Sequence, residues 1–316
     1  MKPRIVLIGP GRVGAAVAKR LHRAGYPLEA LISRDRIRAE EAAQFIGCDP
    51  DVATSDLARV RAGEIILMSI PDDQIEPMAK HLQETIGLAK KTTLVHFSGL
   101  KQASCMFLQG YETGLLSIHP LLSFADREMA AERLTGCPCA LEGDAALLPL
   151  AEELATAMGG CPFPLPSEAK TIYHAAACVT SNYLVTLSAR ARDLLSYCGF
   201  DEHQAMELLR PLLRATCDNL DRLPPEKALT GPIVRGDTGT VTKHLTAMLS
   251  STPEFLDLYC CMGEQTIDLA TASGRLNKDQ ALKLKQLFTR YSENHQSGHQ
   301  EEDPTDESSG HPSAAK

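Results

Sequence analysis

The chain has 316 residues, 44% hydrophobic and 23% charged, with a net charge of −8 at pH 7. That is a globular composition with length for two domains. No apolar run approaches the roughly 18 residues of a membrane span, and the acidic body has no basic stripe of the kind that tracks nucleic acid. No membrane or nucleic-acid partner is therefore expected.

MKPRIVLIG at the start puts basic residues before apolar ones, yet the run stops at a Gly/Pro turn with no small-residue cleavage site. It reads as a first strand of a cytoplasmic protein. The strand RIVLIG (4 to 9) runs into GPGRVG, in which Gly9, Gly11 and Gly14 form G-x-G-x-x-G ahead of the helical stretch AAVAKRLHRAG. In that context the pattern predicts a dinucleotide site. The glycines allow a tight turn and close approach of backbone to a pyrophosphate, and the helix N-terminus supplies N–H groups. Pro10, Arg12 and Val13 complete the loop.

The next strand, PLEALIS, ends at Ser33-Arg34-Asp35. An NAD site wants an acidic residue there for the ribose 2′-hydroxyl, whereas a hydroxyl and a guanidinium suit a 2′-phosphate. Ser33 and Arg34 favour NADP; Asp35, one residue on, keeps NAD as the alternative. Further strands follow at EIILMSI (64 to 70), TTLVHF (92 to 97), GLLSI (114 to 118) and CPCALEG (137 to 143), alternating with helical stretches. This is the pattern of a doubly wound parallel α/β sheet, whose ligands bind beyond the carboxyl ends of the strands. Ile70-Pro71-Asp72, Ser98-Gly99 and His119-Pro120 are the strand ends expected to border the nicotinamide half. Ser98 and His119 are also placed to touch substrate, although each could instead serve a local turn.

The ten cysteines form CPC at 137 to 139 and a pair at 260 and 261, but no CxxC, and the ten histidines form no HExxH. Reduced thiols and no metal site are expected. After about residue 165 strand patterns cease. Residues 167 to 198 read as one long helix ending near Gly199, and Asp201 with Gln204 as a capping box opening another, kinked or broken at Pro211. The loop ALTGPIVRGDTG precedes two or three helices ending near Tyr291, with Asp237 as an N-cap. The chain is thus expected to hold a Rossmann domain (1–165), an all-helical substrate and dimerisation domain (166–293) and a disordered acidic tail (294–316).

The helix stretch AKTIYHAAACVTSN (169 to 182) sets Lys170, His174 and Ser181 along one side. Such a line either faces water or faces a substrate in an interdomain cleft. Asn182, about a hundred degrees round the helix, and Arg235 of IVRGD, which could hold a substrate carboxylate, are candidate substrate residues.

SEAKTIYHAAACVTSNYLVTL, LTGPIVRGDTGTVTKHL and IHPLLSF together resemble the bacterial Rossmann-like proteins with a DUF2520 domain, described as NADP oxidoreductases without an agreed substrate. They fall within the 6-phosphogluconate dehydrogenase-like and pyrroline-5-carboxylate reductase-like superfamily. The resemblance spans nearly all of residues 1 to 293 and implies two domains and a homodimer through the helical one. In the 6-phosphogluconate and β-hydroxyacid dehydrogenases a K-x-x-x-N pair follows the Rossmann domain, and its Lys moves a proton at the substrate oxygen. Lys170 matches that Lys, and His174 stands where those families have Asn. His119 matches the His that contacts the substrate hydroxyl in prephenate dehydrogenases. The expected function is an NADP-dependent oxidoreductase acting on a small keto or hydroxy acid or an imine, with Lys170, His174, His119 and Ser98 as catalytic candidates. The alternative is a non-catalytic NADP(H)-binding regulator, to which the His at 174 lends weight.

Overall fold

A computed structural model describes residues 1–300. The chain divides into two compact units, Met1–Leu184 and the residues from Val185 onward.

The first unit is built on eight strands: β1 (Ile5–Ile8), β2 (Leu28–Ile32), β3 (Ala53–Thr54), β4 (Ile65–Met68), β5 (Thr93–His96), β6 (Gly114–Pro120), β7 (Pro138–Gly143) and β8 (Cys161–Pro164). They form one sheet in the order β3-β2-β1-β4-β5-β6-β7-β8. The apolar runs are central strands for a simple reason. Alternate residues supply two cores, Ile5, Leu7, Ile65 and Leu67 on one face and Val6, Ile8, Ile66 and Met68 on the other. The first core is covered by α1 (Arg12–Arg23) and α2 (Arg36–Ile46), whose Ala15, Ala16, Ala18, Ala39, Ala42 and Ala43 allow close approach. The second is covered by α3 (Asp72–His81) through Ile75 and Ala79. Helices α4 (Arg127–Arg133) and α5 (Leu148–Ala157) follow.

Two features differ from a wholly parallel reading. The strand β7 runs antiparallel to β6, and two short strands, β3 and β8, close the sheet edges. β3 is only two residues long, and β8 reads CPFP with two prolines and no fully buried residue, so neither carries a buried-strand pattern. The register across the middle of the sheet sets polar residues side by side. His96 on β5 pairs with Ser117 on β6, and Ser117 with Glu142 on β7.

The expected long helix at 167 to 198 is two: α6 (Lys170–Thr180) and α7 (Asn182–Ser196), parted at Ser181. Here α6 belongs to the first unit, beyond the expected boundary at 165, because its polar side chains are anchored on the sheet.

The second unit contains α8 (Glu202–Arg222), α9 (Pro225–Ala228), α10 (Thr238–Ser251), α11 (Leu256–Ala272) and α12 (Lys278–Gln300). Its core is made by Val241, Leu245, Leu256, Ile267, Leu284 and Phe288. The Asp201–Gln204 capping box is present, and Asp237 caps α10 by accepting from the Thr240 N–H at 3.0 Å. Pro211 does not break α8; the carbonyl it leaves free belongs to exposed Glu207, where water can replace the lost bond. The last helix continues past Tyr291 to Gln300, so the start of the expected tail is helical, and residues 301–316 lie outside the described residues.

Candidate active site at the strand ends

At the first loop, Gly9 has φ +81° and donates to the Ile32 carbonyl at 2.9 Å, and Gly11 N–H closes back on the Gly9 carbonyl at 2.7 Å. A Cβ on Gly9 would strike the Ser69 carbonyl. On Gly14 it would come within 2.7 Å of the Gly9 carbonyl and 2.8 Å of Ser69 Cβ. These two glycines weld the loop to the end of β4. Gly11 is different: a Cβ there meets nothing within 4 Å, and no side chain caps α1. An open face above the uncapped N-terminus of a twelve-residue helix fits a pyrophosphate. Pro10 and Val13 are half-buried and Arg12 is exposed.

At the end of β2, Ser33 donates its N–H to the Thr54 carbonyl at 3.1 Å, and Arg34 is exposed. Asp35 is occupied as the N-cap of α2, accepting from Ile37 N–H at 3.0 Å, and lies 3.6 Å from Arg38. Beyond β4, Ile70 leads to Pro71, which precedes α3, and Asp72 is its first residue. The Ser98 hydroxyl donates to Asp72 at 2.7 Å and accepts the N–H groups of Leu100 (3.1 Å) and Lys101 (2.9 Å). One donor and two lone pairs are all a serine has, so Ser98 holds the ends of β4 and β5 together.

On the face of the sheet opposite α1, alternate positions of β5, β6 and β7 are polar. His96, Ser117 and Glu142 form one row; Ser98 and His119, two residues on, begin a second. Two residues of strand advance about 6.6 Å and four residues of helix about 6 Å, so a helix laid over this face can serve both rows. That helix is α6. Lys170 covers the first row: its Nζ donates to Ser117 Oγ at 2.6 Å and to the Ser98 carbonyl at 3.2 Å, and lies 3.7 Å from Glu142 Oε2. Only 2% of Lys170 is exposed. Glu142 also accepts from the Ala103 N–H and the Ser167 hydroxyl, each at 2.8 Å. Burial draws the Lys170 pKa down while the Glu142 carboxylate opposes the shift.

His174 covers the second row, one turn on. His119 Nδ1 bonds to the Tyr173 hydroxyl at 2.9 Å, and the two rings meet edge-on. Burial, then the Lys170 cation and His174, push His119 down to about 4, while burial pushes Tyr173 up to about 12. His174 Nδ1 is buried without a partner, and its Nε2 faces Cys178 Sγ at 3.8 Å. Both imidazoles converge on Gly99: a Cβ there would lie 2.7 Å from His174 Nδ1 and 2.8 Å from His119 Nε2. Two ring nitrogens therefore address one small region at the carboxyl ends of β5 and β6.

Ser98, His119, Lys170 and His174 are thus brought together. Asn182 opens α7, and Arg235 is exposed in the second unit. Sequence reading missed Glu142, Ser117 and His96. The signal was the alternation of polar residues inside otherwise apolar strands. Among the described residues no group of three or more His, Cys, Asp or Glu could hold a metal, and no helix is long and apolar enough to cross a membrane.

His96 and His119 give the fold a pH dependence. Burial, then the Lys170 cation, push His96 down to about 3. Unfolded imidazoles titrate near about 6.5. Between that value and about 3 to 4, the unfolded chain binds protons the folded chain refuses, so stability should fall as pH is lowered through the window and level off below it. The loss should be on the order of a few kcal/mol, read as a falling Tm between pH 7 and 4. His96→Asn, whose Oδ1 can take over the Ser98 N–H now accepted by Nδ1, should flatten the slope.

A Rossmann-like domain model matches residues 2–120, and the model described as a domain of unknown function (DUF2520) matches residues 137–266. No curated protein matches the sequence. Among solved structures, a protein from Thermotoga maritima is 27% identical with a TM-score of 0.67, covering 85% of this chain and 98% of its own. A candidate NADP oxidoreductase from Bacteroides fragilis is 22% identical with a TM-score of 0.66, covering 86% and 98%. A 1-pyrroline-5-carboxylate reductase from Streptococcus pyogenes is 16% identical with a TM-score of 0.58, covering 90% and 99%. The chain thus matches a Rossmann-like domain model followed by the DUF2520 model, and it shares its fold with these solved structures.

Proposed function

We propose that the protein is an NADP-dependent oxidoreductase of a small metabolite, with His119 and His174 handling the proton at the reacting oxygen or nitrogen. The observation that carries this reading is the convergence of two imidazole nitrogens on Gly99 at the strand ends where a Rossmann sheet binds its ligand. The cofactor, when bound, supplies or accepts the hydride. The Gly11 face and the N-terminus of α1 would hold its pyrophosphate, Ser33 and Arg34 its 2′-phosphate, and the Ile70–Asp72 segment would border its nicotinamide half. His119 keeps Tyr173 on Nδ1 and offers Nε2 to the substrate, while His174 Nδ1 has no protein partner to give up. A homodimer through the helical unit is part of this reading, supported by the exposed Leu208, Leu212 and Leu220 on α8, and sedimentation of the purified chain reads it directly.

The test begins with cofactor. NADPH should bind more tightly than NADH, and Arg34→Ala should remove most of the preference, roughly ten- to a hundredfold for one charge-assisted contact. Equal affinities in the unmodified protein overturn the NADP assignment. A panel of 2-oxo acids, 2-hydroxy acids and cyclic imines should then give turnover that His174→Ala lowers by at least about a hundredfold. Tight NADPH binding with no turnover across the panel would favour a binding protein over an enzyme.

A further inference from the structure

The family resemblance gives Lys170 the part of proton carrier, and the geometry points elsewhere. An ammonium has three N–H donors. Two are spent on Ser117 Oγ and the Ser98 carbonyl, and the third side of the group meets Glu142. With 2% of the residue exposed, no donor is left for a substrate. The position is also a costly one for a cation: Lys170 is the first residue of α6, where the helix dipole disfavours positive charge. A buried carboxylate, itself fixed by Ala103 and Ser167, compensates.

What Lys170 does hold is the peptide carbonyl immediately before Gly99. We propose that Lys170 is a positioning residue: its buried ammonium, paired with Glu142, clamps the Ser98 carbonyl and Ser117 and so fixes the Gly99 turn on which His119 and His174 converge. Five segments meet at the pair: the end of β5 through Ser98, β6 through Ser117, β7 through Glu142, the turn at Ala103, and the segment entering α6 through Ser167. Burial and, after it, the same charge disfavour a cation at His119 and keep that imidazole neutral. The other titratable groups around it are His174 and Tyr173 on α6 and His96 on β5. The proposal rests on the oxidoreductase reading for its consequence in catalysis, but the clamp is testable without a substrate.

The measurement is imidazole NMR on the full chain. In the unmodified protein the His119 ring should titrate near pH 4; titration at the ordinary value of about 6.5 overturns the clamp. Lys170→Met alone strands a buried carboxylate and can prevent folding, so the working variant is Lys170→Met with Glu142→Gln, which removes both charges. In it, His119 should titrate higher as the Lys170 cation is lost, with burial still holding it below the ordinary value, and the Gly99 amide resonance should move. An unchanged His119 titration and an unmoved Gly99 amide in this folded variant overturn the proposal. Once a substrate is found, kcat should fall about tenfold with the pH profile displaced along with His119. A fall of a hundred- to ten-thousandfold with one limb of the profile gone would make Lys170 the proton carrier and overturn the clamp. If the His119 shift appears and no substrate turns over, the clamp stands and the oxidoreductase reading is what has failed.

Discussion

Gly99→Ala should nearly abolish turnover while leaving the fold and cofactor affinity close to those of the unmodified protein. The added methyl would sit 2.7 Å from His174 Nδ1, 2.8 Å from His119 Nε2 and 2.9 Å from His119 Cε1. Ordinary contact begins near 3.4 Å, so both rings must give way together. Gly99 does not adopt a positive φ, so alanine brings no backbone strain, and the effect falls on the imidazoles alone. His119 is tied to Tyr173 through Nδ1 and cannot tilt without loosening that bond. Misplacing catalytic groups by about 1 Å costs on the order of a hundredfold, and two groups move here. The expected result is therefore a kcat lower by at least about a hundredfold, with a Kd for NADPH changed by less than about threefold. A fully active variant would mean that the His pair does not meet the substrate, whatever cofactor is bound.

How much of this was legible in the sequence depends on the range of the interactions. The strand runs, the glycine loop and the caps at Asp201 and Asp237 are local: each is decided by residues within four positions, and each appears where expected. The split of α6 from α7 at Ser181 and the unbroken α8 were not legible, because tertiary anchoring and solvent access decided them rather than propensity. The Lys170 partner lay still further from sight. Glu142 sits 28 positions away in a strand whose direction was misread, and only the antiparallel register of β6 and β7 sets it opposite Ser117. A parallel β7 would have left no reason to pair them. Yet its presence inside CPCALEG was itself a clue. A carboxylate in a buried run needs a partner, and a buried cation needs one too. The sequence held both halves of the pair without the register to join them.

The glycine loop offers the sharpest separation between folding and binding. Gly9→Ala places a methyl against the Ser69 carbonyl in a backbone conformation, φ +81°, that L residues rarely adopt. Left-handed backbone costs roughly 1–2 kcal/mol and the clash adds to it. A destabilisation of about 3 kcal/mol should lower Tm by roughly 6 to 12 °C for a unit of this size, with cofactor affinity falling as the loop shifts. Gly11→Ala is the opposite case. Its φ of −76° suits alanine, and the methyl would meet no protein atom within 4 Å. Tm without cofactor should stay the same or rise slightly, because alanine restricts the unfolded chain. The methyl would nevertheless project into the space above the N-terminus of α1, where a pyrophosphate must come close to the backbone. NADPH affinity should fall by on the order of ten- to a hundredfold, one to two steps of about 1.4 kcal/mol. Thermal unfolding of both variants, with and without NADPH, reads the two effects together: Gly9→Ala should lose stability in both conditions, and Gly11→Ala only the rise in Tm that cofactor confers. If Gly11→Ala binds NADPH as well as the unmodified chain, the open face at Gly11 is not where the cofactor lies.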